Sequence, residues 1–399
     1  MFDVGAKSVP PRFWGRSSAE VAAEHPDLGA FLTPVLALDR SAEQHNLRVF
    51  ADWTREHGLE FSPHGKTTMA PALWRELVDA GSVSLTVATA WQAMVARAAG
   101  IDAILLANEL VDPVALDWVT SELDRDPTFG FTCFLDSVEG LRALATTSGA
   151  RPVDVVVEVG GRGGRAGVRR PDDALALAWG ASREPRVRLV GVAGWEGPFG
   201  HDRSEESTDG VRRFLADVVA AARSIEENGF FEVDRPIVSA GGSAWFDLVE
   251  EAFRPLAGRY RRILRSGVFQ AHDSGHYAEV SPLADRFRPA LHVRSRVLSR
   301  PGRRLAILDA GRRDVPWDSG MPIPLAADGA PMPGATVTEL NDQHAFLRLP
   351  ADSALAPGDV VRLGISHPCG AFDRWRIIPV IEDAAVEPPI VVDFLETRF

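Results

Sequence analysis

The 399-residue chain carries 43 Lys plus Arg against 55 Asp plus Glu, a formal net charge of −12, and 45% of its residues are hydrophobic. That balance excludes a general binder of nucleic acid or of acidic membranes, both of which need a positive footprint. No apolar run approaches the roughly 18–20 residues that span a bilayer, and two cysteines, Cys133 and Cys369, make no disulfide framework, so a soluble protein of the reducing cytoplasm is expected.

The N-terminal stretch MFDVGAKSVPPRFWG has no hydrophobic run of signal type and reads, within residues 1–30, as an arm packing with a later β domain. PVLALD (34–39) and the amphipathic SAEQHNLRVFADWTREHG read as a lead-in strand and helix. Eight apolar, β-branched runs follow: 59–65, 83–89, 103–108, 129–136, 153–160, 189–196, 236–242 and 262–268. Helical patterns such as APALWRELVDAG and GVRRFLADVVAAARSIEENG separate most of them. Near-continuous apolar strands alternating with helices predict a parallel sheet covered on both faces. Eight such units predict a (β/α)8 barrel over 31–280, with an open doubly wound sheet as the other arrangement the pattern permits. Beyond about residue 280 helical periodicity stops. LHVRSRVLSR, RLAILDAG, ATVTELND, HAFLRL, DVVRLGI and WRIIPVIE predict an all-β domain over 281–399.

Of the 43 basic residues only Lys7 and Lys66 are lysines. Arginine serves wherever any cation will do, but it cannot act as a nucleophile, a base or a Schiff-base amine. A lysine kept in FSPHGKTTMAP, at the end of an apolar run, is therefore a candidate for amine chemistry. Lys7 lies in the arm and is expected to be solvated. GKT is not a phosphate loop, because the glycine required five positions before Gly65 is Glu60.

Barrel enzymes gather their chemistry at the C-terminal ends of the strands. Those ends here are Lys66, Thr89, Asn108, Asp136, Arg162 and Arg165, Trp195 and Glu196, Gly241, Gly242 and Ser243, and Gly267. SAGGS (239–243) closes one strand and SGV (266–268) the next. Glycines at such turns let backbone N–H groups approach an anion, so the pair reads as a phosphate cradle or, more plainly, as two tight turns. GGRGGRAG (160–167) partly matches a dinucleotide fingerprint, but its two arginines would crowd a pyrophosphate, and Arg165 reads as a cation aimed into the barrel mouth.

In ISHPCGAFDRW (365–375), His367 and Cys369 are two apart, which on an extended segment places both on one side. An imidazole and a thiolate form a two-ligand clip suited to Zn²⁺ rather than Mg²⁺ or Ca²⁺, although an isolated His-x-Cys is also commonly structural. Cys133, within FTCFL, reads as a small core residue.

PHGKTT, RAGV (165–168), SAGGS, LDAGRRD (308–314) and SHPC together resemble the D-serine dehydratase and D-threonine aldolase family, fold-type III pyridoxal-phosphate enzymes related to alanine racemase. The resemblance implies that Lys66 bonds covalently to pyridoxal 5′-phosphate and that Arg165 faces the phenolate side of its ring. It implies that Gly241, Gly242 and Ser243, with Gly267 beside them, hold the phosphate; Trp195, at its strand end, is a further expected cofactor contact. His367 and Cys369 become the metal pair. The aldolase branch typically has His-x-Asp and a harder metal, so Cys369 points to Zn²⁺ and to dehydration of a D-β-hydroxy amino acid such as D-serine. Retro-aldol cleavage of a D-3-hydroxy amino acid and a pyridoxal-phosphate-binding protein without turnover are the alternatives. LNDQHAF (340–346) departs from the family, showing Asp342 and Gln343 where relatives often have two acidic residues. A homodimer is also implied by resemblance.

Overall fold

The structure, a computed structural model, describes residues 1–327 and 329–399. The chain forms two compact units: Met1–Phe50, Thr67–Leu73 and Val268–Phe399 make one, and Ala51–Lys66 with Trp74–Gly267 make the other. Strand β1 (Val35–Asp39) belongs to the first unit.

The second unit is a parallel barrel built from β2 (Glu60–Phe61), β3 (Leu85–Val87), β4 (Ala103–Glu109), β5 (Gly130–Leu135), β6 (Val153–Val159), β7 (Val187–Gly194), β8 (Ile237–Ala240) and β9 (Arg261–Leu264), in the order β2-β9-β8-β7-β6-β5-β4-β3. The ring closes beyond β2. Thr86 N–H donates to the Pro63 carbonyl at 2.9 Å, and Gly65 N–H donates to the Thr86 carbonyl at 2.8 Å. Strand β6 shows why its sequence reads as a solid apolar run: six of the seven residues in VDVVVEV are buried, because helices cover one face and the barrel interior takes the other. The helices start where the residues dictate. Asp112 caps the helix Pro113–Arg125 through the Val114 and Ala115 N–H groups, with proline at its first position, and Thr89, Ser137 and Ser204 cap others. The long helix Glu205–Glu227 buries Val211, Phe214, Leu215, Val218, Ala221, Ala222 and Ile225, a stripe at three- and four-residue spacing. Each large member of that stripe contributes roughly 1.5–3 kcal/mol relative to exposure.

The first unit is the expected β domain with additions. Strand β1 pairs antiparallel with β10 (Leu291–Gly302) and parallel with β17 (Ile377–Ile381). The run at 35–39, read as a lead-in to the barrel, is thus an inner strand of the other sheet. Around it lie β11 (Leu305–Leu308), β12 (Ile323–Ala327), β13 (Ala330–Pro331), β14 (Thr336–Leu340), β15 (Ala345–Arg348), β16 (Val360–Gly364) and β18 (Val391–Glu396). One core joins Leu36, Leu38, Leu291, Val293, Leu363, Phe372 and Trp375. A second joins Phe2, Val9, Phe13 and Phe31 to Val35, Ile377 and Phe394.

Lys7 corrects an expectation. It is not simply solvated: its Nζ lies 2.6 Å from Oδ1 of the fully buried Asp314, 3.8 Å from the centroid of the Trp375 ring, and donates to the Arg313 carbonyl at 3.1 Å. The angles at Asp314 Oδ1 fall outside those of a hydrogen bond, so that contact is one of charges. None of the described helices is long and apolar enough to cross a membrane.

Candidate functional site

In the barrel unit, Lys66 follows directly on the segment that closes the ring. Residues 64 and 65 are fixed by His64 N–H donating to the Arg265 carbonyl at 3.2 Å and by Trp74 Nε1 donating to the Gly65 carbonyl at 3.1 Å. The Lys66 residue is exposed although Phe61–Pro63 and Gly65 are buried, so the amine stands at the rim. His64 is half-buried as a residue, but its Nδ1 is buried without a partner. Burial, then the cations Lys66, Arg265 and Arg165, hold His64 well below its ordinary range, so the imidazole stays neutral. Lys66, Arg165 and Arg265 therefore all lie within electrostatic reach of one ring.

The two glycine turns lie side by side. Ser266 Oγ donates to the carbonyls of Gly241 at 3.2 Å and Gly242 at 3.3 Å. Gly241 has φ +107°, a left-handed conformation that a side chain would strain. A Cβ on Gly267 would sit 2.5 Å from the His64 carbonyl oxygen, so that position admits no side chain without moving backbone. The nest at 241–242 is aimed at a negative charge: Gly241 N–H donates to Glu196 Oε2 at 3.1 Å and Gly242 N–H donates to Glu196 Oε1. Glu196 is fully buried. Its carboxylate is the stand-in anion by which the turn can be recognised as anion-receptive.

Arg165 stacks over Trp195, its guanidinium carbon 4.9 Å from the ring centroid. Its loop is held by Gly167 N–H donating to Asp136 Oδ2 at 3.2 Å and by the Arg169 guanidinium bonding the Arg165 and Ala166 carbonyls. Arg162 is exposed on the same loop. Sequence reading missed Arg265, at the end of β9. It is buried, donates to Ser239 Oγ at 2.7 Å and to the Gly194 carbonyl at 2.6 Å, and leaves Nε buried without a partner. Burial lowers its pKa to about 10, against the pull of Glu196 and Glu158. Glu158 is raised above the carboxylate range by burial and by Glu109 beside it. Both lie at strand ends or within strands, where the rule used for Lys66 would have found Arg265 but not Glu158.

In the β unit, His367 and Cys369 do come together, by a different route from the one expected. Pro368 is helical, φ −65° and ψ −33°, and Cys369 opens the short helix Cys369–Phe372, so the pair sits on a turn rather than on an extended segment. The thiol of Cys369 lies close enough to the imidazole of His367 to act on its charge. Thr67 Oγ1 lies 3.2 Å from Cys369 Sγ, and Asp318 Oδ2 lies 2.6 Å from His367 Nδ1. Burial opposes the charged ring, but Cys369 and Asp318 outweigh it and bring His367 up to about 9. His276 and Tyr277 stand nearby, ring centroids 6.4 and 5.9 Å from that of His367. Gln343, of the departing 340–346 loop, donates to Asp314 Oδ2 at 3.1 Å, which gives that loop a supporting contact. Cys133 is buried in the barrel, as a core residue should be, and no disulfide joins it to Cys369.

These residues fit the groups implied by the sequence. An exposed amine, an anion-receptive turn and an unpartnered buried guanidinium N–H suit a phosphorylated aldehyde, and an imidazole with a thiol suits a divalent ion of borderline softness.

Residues 38–254 match the family "Alanine racemase, N-terminal domain" and residues 290–381 match "Putative serine dehydratase domain". The chain is 31% identical over 360 residues to D-threonine aldolase from Arthrobacter sp, covering 89% of this chain and 90% of that one. The solved D-threonine aldolase from Filomicrobium marinum superposes with a TM-score of 0.79 at 25% identity, covering 94% of this chain and 97% of the other. D-threo-3-hydroxyaspartate dehydratase from Delftia sp. HT23 shares the fold with a TM-score of 0.74 at 23% identity, over 92% and 97%. The chain therefore belongs to the D-serine dehydratase and D-threonine aldolase-like family of fold-type III pyridoxal-phosphate proteins, with an alanine racemase-type barrel.

Proposed function

We propose that this protein is a pyridoxal-phosphate- and Zn²⁺-dependent lyase that removes water from a D-β-hydroxy amino acid of the D-serine class, giving a keto acid and ammonia. The observation that carries the reading is the presence in one chain of a lysine at the barrel rim, Lys66, and of an imidazole–thiol clip in the β unit, His367 with Cys369. When bound, pyridoxal phosphate supplies an electron sink for the Cα electron pair, and Zn²⁺ supplies Lewis acidity towards a β-oxygen.

The chain's own residues supply the rest. Lys66 would hold the cofactor through its amine, and the same amine is the base placed to take a proton from Cα. The turn at Gly241, Gly242 and Ser243, with the close approach at Gly267, would hold the phosphate, the Gly241 and Gly242 N–H groups giving up the Glu196 carboxylate to do so. Arg165, steadied over Trp195, places a permanent cation beside the ring or the substrate carboxylate. His64, kept neutral by burial and by its cationic neighbours, adds no further positive charge there. His367 and Cys369 hold the metal, with Thr67 Oγ1 against the thiol.

The aldolase relatives favour a second reading, retro-aldol cleavage of a D-3-hydroxy amino acid to glycine and an aldehyde. Against it stands Cys369, a softer ligand than the carboxylate of the His-x-Asp pattern that the resemblance associates with the aldolase branch. Incubating the protein with D-serine and with D-threonine decides between them. Dehydration yields keto acid and ammonia from both, whereas glycine and acetaldehyde from D-threonine would replace the first reading with the second. A homodimer in the cytoplasm completes the proposal.

A further inference from the structure

The segment 309–320 crosses the β unit without helix or strand, yet it is tied down along its length. Asp309 Oδ1 accepts from Ser295 Oγ at 2.7 Å and from the Arg296 N–H at 2.8 Å. Arg312 N–H donates to the Asn341 carbonyl at 2.9 Å, and Arg374 Nε donates to the Arg312 carbonyl at 3.0 Å. Asp314 is gripped by Lys7, by Gln343 and by the Gly311 N–H at 2.8 Å. Ser366 Oγ donates to the Pro316 carbonyl at 3.3 Å. A backbone pinned this closely delivers Asp318 to a fixed place even though its side chain is 55% exposed.

That place is His367 Nδ1. Asp318 Oδ2 stands 2.6 Å from it, and Ser319 Oγ stands 3.4 Å from the same atom. A 2.6 Å separation is a charge-assisted hydrogen bond and leaves no room for an ion between the two atoms. Nor does Asp318 join His367 and Cys369 as a third ligand. Among the described residues, the one set of three His, Cys, Asp or Glu side chains with ligand atoms within 4.8 Å of one another is Glu109, Asp136 and Glu158, elsewhere. An imidazole offers a metal one nitrogen, and the partner of the other nitrogen decides which one and at what ring angle.

We propose that Asp318 is the positioning residue of the His367–Cys369 pair: it occupies Nδ1, fixes the ring plane and so assigns Nε2 to the metal. This rests on the reading of His367 and Cys369 as metal ligands. The 309–320 segment is then a built support, and its anchor at Asp314 links the N-terminal Lys7 to the same device.

The test is the Zn²⁺ affinity of the full-length protein, by competition with a chromophoric chelator, for the wild type and for Asp318→Ala, Asp318→Asn and Cys369→Ala. Asp318→Ala should weaken Zn²⁺ binding about 10–100-fold. Asp318→Asn, which keeps an oxygen acceptor, should recover part of the loss. Histidine ¹⁵N spectra of the Zn²⁺-loaded wild type should show His367 metallated at Nε2. Zn²⁺ affinity of Asp318→Ala within twofold of wild type, with Cys369→Ala losing the ion, overturns the assignment of Asp318 alone, as does metallation at Nδ1. A wild type that binds no Zn²⁺, or a Cys369→Ala variant that keeps it, overturns the ligand pair and the positioning role with it.

Discussion

Lys7→Met removes one ammonium from the N-terminal arm, and the structure sets the size of the effect. Its partner Asp314 is fully buried, while the Lys7 side chain is 35% exposed. Taking one member from a fully buried pair costs about 3–5 kcal/mol, because the remaining charge is stranded. Two features reduce that here. Water reaches the lysine, and Asp314 Oδ2 keeps the Gly311 N–H and Gln343. Loss of the cation–π contact with Trp375 adds about 0.5–1 kcal/mol. The net expectation is a destabilisation of about 2–4 kcal/mol. Urea unfolding followed by tryptophan fluorescence measures it, and a double-mutant cycle with Asp314→Asn isolates the pair. A coupling energy above about 1 kcal/mol is expected for two charges in contact. Coupling within about 0.5 kcal/mol of zero, with Lys7→Met as stable as wild type, would mean that the arm is solvated and that Asp314 draws nothing from it.

Gly267→Ala places a methyl carbon 2.5 Å from the His64 carbonyl oxygen, so backbone next to Lys66 must shift. Stability should fall by about 1–3 kcal/mol, and pyridoxal phosphate titrated into the protein should bind more weakly; unchanged binding would remove Gly267 from the cofactor site. His292 is buried, and burial, reinforced by Arg362, holds its pKa down to about 4, against about 6.5 in an unfolded chain. Between those values the unfolded chain binds a proton that the native chain does not, so stability is lost as pH falls through the window, by about 3 kcal/mol in all. His292→Gln should flatten the stability curve between pH 6.5 and 4.5 relative to wild type, and parallel curves would show that the ring is not held neutral.

The barrel was legible in the sequence because burial on both faces leaves an unbroken apolar run, as in Val153–Val159, and because the runs repeat with helices between them. The same local signal misplaced Val35–Asp39. Its five residues are all buried like those of a barrel strand, but the partners that decide its sheet lie in 291–294 and 380–381, at sequence separations no periodicity reports. Strands β12 and β13 were missed because Pro324 and Pro331 interrupt them, and proline argues against a strand. Lys66, His367 and Cys369 could be picked out by chemistry alone, since few residue types serve as amine or soft ligand. The backbone under His367 and Cys369 could not, because Pro368 turns it. Asp318 and Thr67 carry no sequence signal. An aspartate in a loop and a threonine after a lysine acquire meaning only when folding sets them 2.6 Å from an imidazole and 3.2 Å from a thiol.

The central claim is that Lys66 carries the cofactor. Full-length protein incubated with pyridoxal phosphate, reduced with borohydride, digested and mapped by mass spectrometry tests it without any turnover. A pyridoxyl group on the peptide containing Lys66, absent from Lys66→Ala, is the predicted result. A label confined to Lys7 or to the N-terminal amine, or no label at all, would contradict the account.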